Sequence, residues 1–188
     1  QKKSDKVDQI RENAGLNYRM MTEAVHAVLK DLGKHHPEYD AKVGHEMAGF
    51  VWFQGWNDMF NDKARAEYET NLVHLVQDIR HDLRVPDLPV VIGELGNGGP
   101  KAGKNMLMIR AAQKAAAARP EIAKHTAFVP TTAFARPAKH SPNVSHGHHW
   151  FGNAESYFLI GDAMGHAMLK LISQNTSSTS TKPPGKTP

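Results

Sequence analysis

Leu88-Pro89-Val90-Val91-Ile92-Gly93-Glu94-Leu95 is apolar without interruption until Gly93. Such a run, preceded by Pro86 and followed by Gly96-Asn97-Gly98-Gly99-Pro100, fits a strand buried on both faces. This is expected where helices cover both faces of a sheet, as they do in parallel sheets. The flanking sequence supplies the helices. Upstream, Tyr68, Leu72, Leu75, Val76, Ile79 and Leu83 recur at helical spacing and stop short of Pro86. Downstream, residues 105–118 form an Ala-rich helical stretch that ends at Arg119 and Pro120. Two further strands are expected, over 48–53 between Gly49 and Gly55 and over 126–131.

Outermost lie two more helices. In the first, over 16–32, Leu16, Met20, Met21, Ala24, Val25, Val28, Leu29 and Leu32 share a face, and Gly33 is placed for a left-handed cap. In the last, over 154–172, Tyr157, Phe158, Met164, Met168 and Leu171 are the expected core contacts. Helical methionines, among them Met20 and Met108, read as core fillers. Alternating helices and strands imply an α/β fold with a parallel sheet and right-handed crossovers, whose ligands bind at the C-terminal strand ends. Residues 1–14 are expected to be loose, 15–172 to form the domain, and 173–188 to remain unfolded for want of apolar groups.

Several function classes are disfavoured by composition. The net charge of +4 comes from Lys and Arg scattered among Asp and Glu, so no basic face for nucleic acid is expected. No apolar run has the ~18 residues a membrane crossing needs. The absence of cysteine removes disulfide and thiolate chemistry. Neither oligomeric state nor compartment is read from the sequence, although a secreted or periplasmic setting is compatible with it.

Two loops carry chemistry. After the 48–53 strand comes Gln54-Gly55-Trp56-Asn57-Asp58, which sets amides, a glycine and a carboxylate at the ligand edge. Amide side chains stabilise a developing oxyanion without titrating, and glycine permits close backbone approach. Equally, Asn57 and Asp58 are suited to cap the next helix, and the tryptophans to fill core. Before the last helix stands His146-Gly147-His148-His149-Trp150. Histidine is the natural general base near neutral pH. Zinc binding is a rival reading, but neighbours on one loop rarely face one ion, and no Cys or H-E-x-x-H motif supports it. A solvated loop without a role is the third reading. The 93–99 segment lacks the Gly-Lys-Ser/Thr ending of a phosphate loop, leaving Glu94 and Asn97 as candidate substrate contacts or parts of an ordinary turn.

Gly55-Trp56-Asn57-Asp58 resembles the G-x-N-D block of SGNH (GDSL-like) hydrolases. The longer Trp52-Phe53-Gln54-Gly55-Trp56-Asn57-Asp58 resembles the W-x-Q-G-E-x-D stretch of sialate O-acetylesterase-like carbohydrate esterases, with Trp56 in place of Glu. His149-Trp150-Phe151-Gly152-Asn153-Ala154 is similar to the continuation of the family's histidine block. The resemblance covers residues 15–172 and implies a three-layer α/β/α, flavodoxin-like fold without a cofactor or metal. It implies a substrate of O-acetylated carbohydrate, with His149 as base and His148 as rival. Gln54 or Asn57, together with Gly55, would hold the oxyanion. From their places on the two strand-end loops, Trp56, Asp58, Glu94 and Asn97 are expected near substrate. Trp52, Trp56 and Trp150 are available either as a sugar platform or as core.

Two departures matter. The Asp that orients the histidine in this block is His146 here, and the G-D-S or G-Q-S-N serine block is absent. The expectation is that the nucleophile strand and another βα unit precede Gln1. On that basis this polypeptide alone is expected to be marginally stable and inactive. The alternative is a non-catalytic carbohydrate-binding or interaction domain on a degenerate hydrolase scaffold.

Overall fold

The computed structural model describes residues 13–179, with side chains to residue 175. The chain divides into two compact units, residues up to 46 with 82–84, and residues 47–81 with those from 85 onward. In the first unit, α1 (Leu16–Lys30) and α2 (Leu32–His35) are separated at Asp31, whose φ of −139° and ψ of 53° are not helical. Gly33 therefore lies inside α2 rather than capping the helix, and it does not have a positive φ. Neither helix buries a residue, and Met20 is 57% exposed, so the apolar stripe is not a core here. Within this unit Tyr18 donates to Asp82 at 2.7 Å.

The larger unit holds the expected parallel sheet. Its strands β1 (Phe50–Trp52), β2 (Val90–Gly93) and β3 (Thr126–Val129) lie in that order, with Val91 opposite Val51 and Ala127. Each is shorter than its apolar run. Between them run α3 (Asp62–Asp82) and α4 (Lys104–Ala117), and α5 (Ala154–Thr179) closes the order. Helix α3 starts ahead of its apolar period because the Asn61 side chain accepts from the Ala64 N–H at 2.9 Å and caps it.

Two-residue alternation in β2 builds two cores. Val90 and Ile92 pack with Leu72, Val73 and Val76 of α3 and with Ile109 and Ala116 of α4. Val91 packs with Val129 and with Ile160, Met164 and Leu171 of α5. The result is an α/β/α arrangement of the SGNH kind, with β2 buried on both faces. Two expected core contacts in the last helix turn outward instead: Tyr157 is 44% and Phe158 72% exposed, while Ile160 takes the core. Met106 and Met164 are buried, but Met108 is 44% exposed on the outer face of α4. The last helix also runs past 172 to Thr179, through the start of the segment expected to be unfolded. Residues 1–12 and 180–188, within the expected loose end and tail, lie outside the described residues. None of the helices searched among the described residues is long and apolar enough to cross a membrane.

Candidate active site

Strand β1 delivers the chain into Phe53, Gln54 and Gly55, followed by a 3-10 turn over Asn57–Phe60. The turn at Gly55 has a φ of 149°, and a Cβ there would stand 2.8 Å from Ile109 Cγ2 and 3.2 Å from Tyr68 Oη. Only glycine lets the backbone lie this deep. Two buried side chains then fix the loop from below. The Gln54 carbonyl accepts from Tyr68 Oη at 2.6 Å and from Gln113 Nε2 at 2.9 Å. Gln113, which is fully buried, accepts from the Leu95 N–H at 2.8 Å, tying this loop to the one after β2. Trp52 completes the network by donating its indole N–H to Tyr68 Oη at 3.3 Å. Burial pushes the Tyr68 phenol above its ordinary range, so it stays protonated and keeps donating.

At the loop surface, Gln54 Nε2 donates to Asp58 Oδ2 at 2.6 Å. Asp58 thereby orients the amide, which retains a second N–H. Asn57 is exposed, and its amide makes no hydrogen bond among the described residues. It does not cap the next helix, a role taken by Asn61.

The histidine loop is built differently. It runs as a tight turn over Gly147–Gly152 in which Trp150, Phe151 and Gly152 have φ of 52°, 54° and 66°. Two bulky residues in this left-handed region cost about 1–2 kcal/mol each. Backbone bonds hold the turn: the His149 and Phe151 N–H groups both donate to His146 O at 3.0 Å, and Asn143 N–H donates to Phe151 O at 2.9 Å. From α5, Tyr157 Oη donates to His149 O at 2.8 Å. Asn97, 1% exposed, reaches in from the glycine loop and donates Nδ2 to Gly147 O at 3.3 Å. The Trp150 ring is buried 6.2 Å from that of Phe53, joining the two loops.

Both loops line one cleft of about 300 Å³, with Gln54, Gly55, Trp56 and Asn57 on one side and His148, His149 and Tyr157 on the other. His148 and His149 have ring centroids 4.3 Å apart, and His148 lies 5.6 Å from the Trp56 ring. His148 is held below the ordinary histidine range by desolvation, then by the charges of His149 and His146. The His146 ring stacks 6.5 Å from that of His149, and its Nδ1 lies 2.7 Å from Asn143 Oδ1. Ser145 Oγ lies 2.9 Å from that nitrogen, but it donates to Asn143 Oδ1 at 3.2 Å and does not line the cleft, so it is not placed to attack a substrate there. Ser156 is equally unsuited, since it is fully buried and donates to Phe134 O at 2.7 Å.

Asp58, Glu94 and Asn97, expected near substrate, do not line this cleft. Glu94 Oε2 accepts from the Thr131 N–H at 2.8 Å, the Thr132 N–H at 2.9 Å and the Thr132 hydroxyl at 2.8 Å, bracing the loop after β3. Arg110 braces the glycine loop, donating to Leu95 O, Asn97 O and Gly99 O at 2.7–3.0 Å. Of the three tryptophans, Trp52 packs against the core beneath the site, Trp150 is buried, and Trp56 is only partly buried. Tyr68 and Gln113 carry no surface motif, and their one signal is a polar residue inside a helical stripe. No group of three His, Cys, Asp or Glu side chains among the described residues is placed to hold a metal ion.

Comparison with known proteins gives the family. Residues 9–170 match the family described as carbohydrate esterase, sialic acid-specific acetylesterase. A probable carbohydrate esterase of Arabidopsis thaliana is 32% identical over 62 residues, which are 33% of this chain and 24% of that protein. The chain thus spans about a quarter of the length of that curated relative. No solved structure matches. The match over most of the chain shows that it belongs to the carbohydrate esterase family of sialic acid-specific acetylesterases.

Proposed function

We propose that this chain supplies the oxyanion-binding and proton-transferring half of a site that removes O-acetyl groups from a sugar. The observation that carries the reading is the shared cleft. Amides near residue 55 and imidazoles near residue 149 face each other across one small space. In the proposed reaction a serine oxygen attacks the acetyl carbonyl, and His149 takes its proton. The Gly55 N–H, the second N–H of Gln54 and the Asn57 amide hold the tetrahedral oxyanion. His149 then returns the proton to the departing sugar oxygen, and water cleaves the acyl-enzyme by the same route.

None of the described serines at 141, 145, 156 and 173 lines the cleft, and no serine of the sequence stands in a G-D-S or G-Q-S-N block, so the proposal takes the nucleophile from outside the described residues. A second reading, a glycan-binding domain without turnover, draws on one observation. Among the described residues no carboxylate bonds to either His148 or His149. Acetate release from acetylated saccharides by the full-length protein carrying these residues decides between them. Under the catalytic reading His149→Ala lowers turnover by about 10²–10⁴-fold. Turnover that survives this substitution overturns the assignment of the base, and binding without any acetate release favours the second reading.

A further inference from the structure

Beside the first cleft lies a second of about 470 Å³, lined by Trp56, Met59, Phe60, Lys104, Asn105 and Met106 among others. It lies between the 3-10 turn Asn57–Phe60 and the start of α4. Trp56 borders both clefts, so the two spaces share an aromatic wall. On its other side Trp56 meets the Phe60 ring edge-on, with centroids 5.9 Å apart and planes at 69°. Phe60 is 67% exposed, while Met59 and Met106 are 8% and 7% exposed. An apolar, sulfur-rich floor therefore carries one open aromatic face. The rim is polar, with Lys104 and Asn105 both exposed and without a hydrogen-bond or ion-pair partner among the described residues.

A sugar ring suits this combination. Its C–H face packs on an aromatic ring, and its hydroxyls need donors at the edge. An acyl chain would use the floor but leave the rim unpaired. A charged peptide would use the rim but have little use for the ring. From the continuity through Trp56 we infer that the second cleft receives the sugar unit next to the acetylated one. The preferred substrate is then an acetylated oligosaccharide rather than an acetylated monosaccharide. This rests on the reading of the first cleft as an acetyl-sugar site.

Binding is measured by calorimetry on the full-length protein carrying His149→Ala, so that turnover does not consume the ligand. The probes are O-acetylated methyl glycosides and O-acetylated tetrasaccharides of glucose, xylose and N-acetylglucosamine. For at least one sugar the tetrasaccharide is expected to bind about tenfold tighter than the glycoside. Adding Phe60→Ala should erase that ratio, and Phe60→Tyr should keep it. Equal binding of glycoside and tetrasaccharide, or a ratio untouched by Phe60→Ala, overturns this inference and leaves the acetyl-sugar reading standing. Failure of every probe to bind overturns this inference, while acetate release from other acetylated saccharides, acetylated sialic acid among them, still tests the acetyl-sugar reading. Light scattering covers the remaining occupant: a dimer dissociated by Phe60→Ala, with glycan binding unaltered, assigns the cleft to a second copy of the chain and overturns the inference.

Discussion

Under the loop after β1 sit two buried polar side chains, Tyr68 and Gln113, whose hydrogen bonds converge on one carbonyl, Gln54 O. The loop before α5 is held largely by its own backbone, folded through three consecutive left-handed residues, with Tyr157 and Asn97 steadying its rim. One side of the cleft thus depends on distant side chains and the other on local conformation. The donors of an oxyanion hole act only when fixed before charge develops, which suits the first arrangement. Under the proposed function, the proton-transferring histidine would stand on the second.

This contrast is most exposed to test at Gln113. Gln113→Ala leaves the Leu95 N–H and part of the Gln54 carbonyl unpaired and opens a cavity, so we expect a loss of about 3 kcal/mol in urea unfolding. Gly55→Ala drives a Cβ against Ile109 and is expected to lose about 2–3 kcal/mol. Its counterpart, Gly152→Ala, meets Pro142 Cγ at an ordinary 3.5 Å and pays only for the left-handed backbone, about 1 kcal/mol. Equal losses at the two glycines would break the comparison.

The smallest effect lies at His148. Its folded state favours the neutral ring, so its NMR titration midpoint should fall below the ordinary value of about 6.5. Between that lowered midpoint and about 6.5 the unfolded chain binds more protons than the folded one. The contribution to stability is therefore complete above the ordinary value and declines as pH falls through the lowered one. His148→Asn should flatten this slope. A midpoint at or above 6.5 would show that neither desolvation nor the charges of His149 and His146 act on the ring.

The parallel sheet and the order of its helices were legible because β2 is apolar on both faces, a pattern few other environments produce. Likewise the two loops stand out as clusters of amide and imidazole groups directly after a strand and before a helix. The supports beneath them were hidden for a physical reason. Gln113 lies in an Ala-rich helix, where a lone glutamine reads as surface, and its burial follows only from partners at positions 54 and 95. Glu94 looked like a ligand-edge carboxylate for the same reason. The partners it has in the structure, Thr131 and Thr132, come from the next strand end and leave no trace in local spacing. Tyr157 was misplaced by helical periodicity, which marks a helix face but not whether that face meets core or cleft.

One last property follows from the left-handed run at Trp150, Phe151 and Gly152. Opening a turn releases whatever conformational strain it holds, so such a segment has a lower barrier to local unfolding than one tied into the core. On warming, the amides of His149 and Phe151 should exchange with solvent before that of Leu95, whose N–H is bonded to the buried Gln113. The molecule would then lose the geometry of its histidine loop while the sheet is still intact.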